Sequence, residues 1–197
     1  MYNFKGFTQK ANDALNNAIS ISSHMGHTYV GTEHLLLALT EESDGIAGAV
    51  LEQAGVTSSE LRKLIENTMG TGSPSGVTVD DFTPRTKRVM QNALLIANRI
   101  GHNFVGTEHL LLAILSDNDS YSVRFLKEMG ASQDSLIQAL SDAMNVEING
   151  GYKESMGGNT HIPGNPNGKT KTLDTYGRDL TASAKAGEID PVIGREE

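Results

Sequence analysis

Two histidines and a glutamate stand close together twice in this chain: His27, Glu33 and His34, then His102, Glu108 and His109. Imidazoles and carboxylates ligate metals, exchange protons and bind guanidinium groups. The metal reading is the weakest of these. The helical His-Glu-x-x-His pattern is missing and no third ligand recurs, because His24 falls opposite Arg99. A histidine beside a helix start more commonly serves as a hydrogen-bonded structural group, so neither a metal nor a cofactor is expected.

Glu33 and Glu108 each follow a threonine, Thr32 or Thr107, that is expected to cap a short helix. A carboxylate in a first turn complements the helix dipole, worth about 0.3–1 kcal/mol. It can equally grip a guanidinium through two hydrogen bonds, with an anion held alongside by the free N–H groups of neighbouring helix starts. The residues alone leave both readings open.

Catalytic constellations are not evident. The segment Gly164–Thr170 superficially resembles a phosphate loop, but its glycine spacing is wrong, Pro166 interrupts it and no strand precedes it. No serine sits in a nucleophile elbow, and no acid–base pair stands out among the scattered carboxylates. The absence of cysteine excludes thiolate chemistry and a disulfide framework. A binding module is expected rather than an enzyme.

The elements that must position Glu33 and Glu108 are themselves duplicated. The run from Gly26 to Ala38 returns from Gly101 to Ala113, an offset of 75 residues. The same offset carries Phe7-Thr8 onto Phe82-Thr83, Leu51 onto Leu126 and Gly55 onto Gly130. No gap interrupts that register over residues 7–65, which marks a repeated structural unit.

Each unit predicts four short helices and no alternating strand pattern, an all-α fold of two tandem pseudo-twofold repeats. Thr8 is expected to cap a first helix whose stripe is Ala11, Ala14, Leu15, Ala18 and Ile19. Thr83 followed by Pro84 starts its counterpart, with Val89, Met90, Ala93, Leu94 and Ala97 as the stripe. Gly26 and Gly101 end these helices. The second helices turn Leu35, Leu36 and Leu39, or Leu110, Leu111 and Ile114, inward. Third helices end at Gly55 and Gly130. Fourth helices begin near Ser58 and Gln133, burying Leu61, Leu64 and Ile65, or Leu136, Ala139 and Leu140.

The expected organisation is a first unit at 7–69, a linker at 70–81 that is flexible by composition, and a second unit at 82–145. A flexible Gly/Asn/Pro-rich linker at 146–172 and a structured-looking stretch at 173–197 follow. Hydrophobic residues make up 38% of the 197, enough for a core. The net charge of −8 argues against a nucleic-acid surface. It is uneven: residues 7–69 carry three basic groups against eight acidic ones, whereas 82–145 carry six of each. The first unit is therefore the one inclined towards cationic partners. Neither an export signal nor a membrane-spanning stretch is evident, so a cytoplasmic location is expected.

The doubled Gly-His-x-x-x-Gly-Thr-Glu-His-Leu-Leu-Leu, each copy preceded by Phe-Thr and a helix, resembles the Clp N-terminal repeat domain. Within that family it is most similar to the ClpC-type Hsp100/AAA+ unfoldases. The segments Thr172–Thr181 and Asp190–Glu197 resemble the entry to the first ATPase module of these proteins, ending before the phosphate loop.

The resemblance implies a domain that receives substrate proteins and adaptor proteins for a hexameric ring, which uses ATP and Mg and feeds the ClpP peptidase. In some members the domain binds phosphoarginine as a degradation tag. By that resemblance Glu33 and Glu108 pair with the guanidinium, and Thr8 and Thr83 contact the phosphate. The fragment alone is expected to be a monomer. A stand-alone accessory protein without an ATPase is the alternative. Asn16, Asn17, Ser20, Ser22 and Ser23 depart from the more charged first helix of the family, and the linker after Asn145 is longer and richer in glycine.

Overall fold

The computed structural model describes residues 1–151, with side chains to residue 145. The expected remainder of the linker and the ATPase-like stretch at 173–197 lie outside the described residues. Among the described residues eight helices run in order: α1 (Gln9–Met25), α2 (Thr32–Glu41), α3 (Ile46–Gln53), α4 (Ser58–Met69), α5 (Pro84–Arg99), α6 (Thr107–Leu115), α7 (Tyr121–Glu128) and α8 (Gln133–Gly151). A 3-10 turn at Val79–Asp81 leads into α5. The four-helix pattern is thus present twice, although α8 runs on to Gly151, into the stretch expected to be linker.

The caps at Thr8 and Thr83 form as their sequence requires. The Thr8 hydroxyl accepts from the Ala11 N–H at 3.2 Å and that of Thr83 from Thr86 at 3.1 Å. Each satisfies an N–H that the first helical turn leaves without a partner. The α1 stripe is buried as expected. In α5 it is rotated: Leu94 is left 36% exposed, Met90 is partly exposed, and Ile96 takes the inward position. Leu64 and Ala139 are likewise only half-buried, because α4 and α8 lie on the outside and present a narrow face to the core.

The centre belongs to α2 and α6. Every residue from Thr32 to Leu39, and from Thr107 to Leu115, is buried. A helix that is apolar on all sides must be surrounded. Here α2 packs against α1, α3, α4, α5, α6 and α7, and α6 against α1, α2, α3, α5 and α7. Each of the fully buried leucines there contributes about 1.5–3 kcal/mol by leaving water.

The units are interlocked, not merely adjacent. Extended pairing among the described residues is confined to two isolated parallel bridges, Phe7 with Val105 and Val30 with Phe82. They are equivalent under the repeat. Thr8 N–H donates to Val105 O at 2.8 Å, and Val105 N–H to Gly6 O at 2.8 Å. Likewise Val30 N–H donates to Asp81 O at 2.8 Å, and Thr83 N–H to Val30 O at 3.1 Å. Each Phe-Thr segment is therefore tied to the loop of the other unit.

The linker at 70–81 is also tied down, despite its composition. Gly72 N–H donates to Met25 O at 2.8 Å and Ser75 N–H to Ser23 O at 3.0 Å. The Ser75 hydroxyl donates to His27 O, and that of Ser23 to Ser75 O. Small residues allow this approach. Gly26, in the left-handed conformation at φ +76°, lies so close to Gly72 that a Cβ there would overlap its backbone.

Candidate functional site

The loops before α2 and α6 deliver Glu33 and Glu108. The helix caps here are Gly31 and Gly106, not the expected Thr32 and Thr107, which lie inside the first turn. With no cap side chain available, the histidines do the work from within. His34 Nδ1 accepts from the Gly31 N–H at 2.9 Å, and His109 Nδ1 from Gly106 at 2.8 Å. Thr107 does something else: its hydroxyl accepts from the Ala47 N–H at 3.3 Å, pinning the start of α3 from the other unit.

These bonds define each histidine's proton. Since Nδ1 accepts, Nε2 of His34 carries the hydrogen and donates to His27 Nδ1 at 2.7 Å. His27 Nε2 then donates to Gly70 O at 2.9 Å. In the second unit His109 Nε2 donates to His102 Nδ1 at 2.9 Å. Burial, reinforced by the neighbouring His27, lowers the His34 pKa to about 3. Burial and His102 lower that of His109 to about 4. Both rings are neutral at pH 7, so the 3.7 Å approach of His34 to Glu33 and the 3.4 Å approach of His109 to Glu108 are not ion pairs.

The same directional chain answers the metal question. His102, Glu108 and His109 lie close enough to surround an ion. The Nδ1 lone pair of His109 is taken by Gly106 and its Nε2 carries a hydrogen, so that ring has no lone pair to offer.

Glu33 is 4% exposed and Glu108 8%. Burial raises the Glu33 pKa; its own backbone N–H, then His27 and then Arg85, act against the rise. Both carboxylates fold back over the capping glycine. A Cβ on Gly31 would land on the Glu33 oxygens, and one on Gly106 on those of Glu108. Gly31 has φ −91°, open to any residue, so glycine is needed there for space and not for conformation.

Glu33 lines a cleft of about 300 Å³ together with Tyr29, Thr83, Arg85, Asp119 and Tyr121. Of the four residues expected to form sites, Glu33 thus meets Thr83, which comes from the other unit. The Thr8–Val105 hydrogen bond sets Thr8 beside the loop that carries Glu108 in the same crossed manner. Sequence reasoning missed Tyr29, Arg85 and Tyr121. One signal was present: Tyr29, Arg85 and Tyr121 stand opposite Phe104, Lys10 and Ile46 in the repeat.

The model for the Clp repeat (R) N-terminal domain matches residues 6–129 and 81–163. The chain is 36% identical over 194 residues to the negative regulator of genetic competence ClpC/MecB of Bacillus subtilis (strain 168), covering 98% of this chain and 23% of that protein. It is 35% identical over 195 residues to the chaperone protein ClpB of Oceanobacillus iheyensis, with the same two coverages, 98% and 23%. The chain therefore spans less than a quarter of the length of these relatives.

Among solved structures, the N-terminal domain of ClpD from Arabidopsis thaliana superposes with a TM-score of 0.61 at 23% identity, covering 72% of this chain and 99% of that one. The ClpV N-domain in complex with a VipB peptide does so at 0.51 and 23%, covering 70% and 88%. The doubled helical unit, its matched segments and these likenesses together place the chain in the Clp repeat (R) N-terminal domain family, with the N-terminal regions of ClpC-type and ClpB-type Hsp100 chaperones.

Proposed function

We propose that this domain is a receptor for proteins bearing guanidinium groups, phosphoarginine-tagged substrates and adaptors among them, on behalf of a ClpC-type unfoldase. The observation that carries the reading is the carboxylate buried at the same place in each unit. A carboxylate accepts two parallel N–H donors from a guanidinium, and each repeat places one at the same loop–helix junction. The threonine caps and the basic residues Lys10 and Arg85 at the starts of α1 and α5 are suited to a phosphoryl group attached to that cation.

In the whole protein, ATP with Mg would drive a hexameric cytoplasmic ring, and captured chains would pass to the ClpP peptidase. The ClpV N-domain, which shares this fold, was solved with a VipB peptide, and peptide capture by the present domain agrees with that role.

Calorimetric titration of the chain with phosphoarginine tests the reading, with phosphoserine as the control. Binding lost in the double variant Glu33→Ala/Glu108→Ala, with the helical circular dichroism retained, is the expected result. Unchanged affinity in that variant would overturn it.

A further inference from the structure

Two asparagines of α1 hold backbone in the way a strand would. Asn16 Oδ1 accepts from the Tyr2 N–H at 2.7 Å, and its Nδ2 donates to Tyr2 O at 2.8 Å. One turn earlier Asn12 does the same to Phe4, at 2.6 and 3.2 Å. A side-chain amide has the donor and acceptor of a peptide group, so it bonds both polar atoms of one extended residue. The spacings agree as well. Four residues of helix rise about 6 Å, and two residues of extended chain about 6.7 Å. Asparagines at i and i+4 therefore take alternate residues of a chain running antiparallel to the helix. These bonds go to main-chain atoms, so the grip itself does not depend on the sequence held.

The two grips differ in depth. Asn12 is 7% exposed, and the Phe4 ring is fixed edge-on to those of Phe7 and Phe82, with centroids 6.3 and 6.0 Å away. Tyr2 is 43% exposed and Met1 almost wholly so. A cleft of about 440 Å³ runs on along α1 beyond Asn16, with Asp13, Asn17, Ile19 and Ser20 in its lining. Ser20 lies one further turn on, where the next alternate residue of the same extended path falls. The Asp13 carboxylate accepts from a neutral group, the Gln9 amide, at 2.8 Å. The cleft shares no lining residue with the one at Glu33.

The repeat itself does not require this arrangement. In the second unit Lys87 and Gln91 stand opposite Asn12 and Asn16, and Val77 and Val79 opposite Tyr2 and Phe4. There the chain enters a 3-10 turn, whose start is closed by the Thr78 N–H donating to Asp81 at 2.7 Å.

We infer that the α1 face from Asp13 to Ser20 is a groove for an extended, basic segment of a partner polypeptide, gripped by its backbone, and that Met1 and Tyr2 are a strap seated there in its stead. The buried Asn12–Phe4 pair anchors the strap while its outer end swings aside. Displacing Tyr2 hands the two Asn16 bonds to the incoming chain, so the exchange costs mainly the ordering of that chain. Asp13 and the acidic balance of the first unit, eight acidic groups against three basic ones, select positive charge.

The test follows fluorescence anisotropy of a fluorescein-labelled octapeptide that alternates lysine with threonine, titrated with the full chain. The probe contains no arginine, so its failure to bind would leave the guanidinium reading untouched. Tyr2→Pro removes the N–H that Asn16 holds and alters no groove residue of α1. It should tighten the probe about fivefold, because a strap held by bonds of ordinary net strength keeps the groove closed by about that factor. Adding Asn16→Leu to that variant should weaken the probe about tenfold, with the helical circular dichroism retained. The probe N-methylated throughout keeps its charge but has no backbone N–H, and should not bind. Hydrogen exchange should quicken at the Tyr2 amide on probe binding, while Phe4 stays protected.

Equal affinity for the N-methylated probe would reduce the site to charge attraction and overturn the inference. So would an affinity indifferent to Tyr2→Pro and Asn16→Leu, or no binding even to Tyr2→Pro. Dimers of Tyr2→Pro that exclude the probe would assign the groove to a second copy of the chain, and overturn it likewise.

Discussion

His27 Nδ1 and His34 Nε2 lie 2.7 Å apart in the core, joined by one hydrogen that must belong to His34. Burial keeps His34 neutral in the folded state, and the same holds for His109, whose Nε2 donates to His102 Nδ1.

Stability should fall as the pH drops below about 6.5, the ordinary histidine value. The folded pKa values of about 3 for His34 and about 4 for His109 lie below it. Between those limits the unfolded chain takes up protons that the folded chain refuses. At pH 5 the loss is roughly 2 kcal/mol for each histidine. Glu33 acts the other way. Its raised pKa means that the folded state gains a proton before the unfolded one, a contribution present at low pH and lost as the pH rises through the folded value. Urea melts at pH 7 and pH 5 measure the difference; a midpoint that does not fall would contradict the lowered pKa values of His34 and His109.

Replacing Gly31 by alanine should damage recognition more than folding. The backbone there tolerates any residue, but the methyl would occupy the place of the Glu33 carboxylate. A loss of affinity of about tenfold for a guanidinium ligand is expected, with a cost in stability of about 1 kcal/mol. Gly106→Ala should do the same at Glu108. Titration and thermal melts on each variant separate the two effects, and an unaltered affinity would show that the carboxylate need not lie over the glycine.

Asn12 gathers the chain's first residues. Its amide donates to the carbonyls of Phe4, Phe7 and Thr8 at 3.1–3.2 Å, and its oxygen accepts from the Phe4 N–H at 2.6 Å. Asn12→Ala should cost about 1–3 kcal/mol. Hydrogen exchange at Phe4 should rise by an order of magnitude or more; protection that stays the same would count against this clamp.

Residues 82–145 expressed alone should fail to fold as a monomer. They would lack the Val30 partner of Thr83 and the whole of α2, against which α6 packs. Circular dichroism of the isolated unit should show little cooperative melting, whereas a sharp transition would mean that the interlock is dispensable.

Much of this fold was legible because duplication leaves a register that can be counted. The caps at Thr8 and Thr83 and the buried leucines of α2 and α6 followed from local chemistry. Leu94 did not, because helical spacing specifies a face only to within the angle between neighbouring side chains, and the packing of α5 selected Ile96 over it. Both glutamates were identifiable from position, but not which threonine faces which glutamate. A repeat is symmetric with respect to its partner, so the crossing of Thr83 to the loop of Glu33 has no sequence signature. Tyr29 and Tyr121 were hidden for a related reason: they lie in different units and meet only through that crossing.

The exchanged Phe-Thr segments have an evolutionary consequence. Two free copies of one unit, related by a twofold axis, would make these same contacts as a homodimer, since each lends the segment that the other lacks. Such a dimer would carry two identical pockets by necessity. Joining the copies in one gene, across residues 70–81, removed that necessity. Tyrosine can then arise beside Glu33 while phenylalanine remains on the Glu108 side, a change no symmetric ancestor could make in one pocket alone.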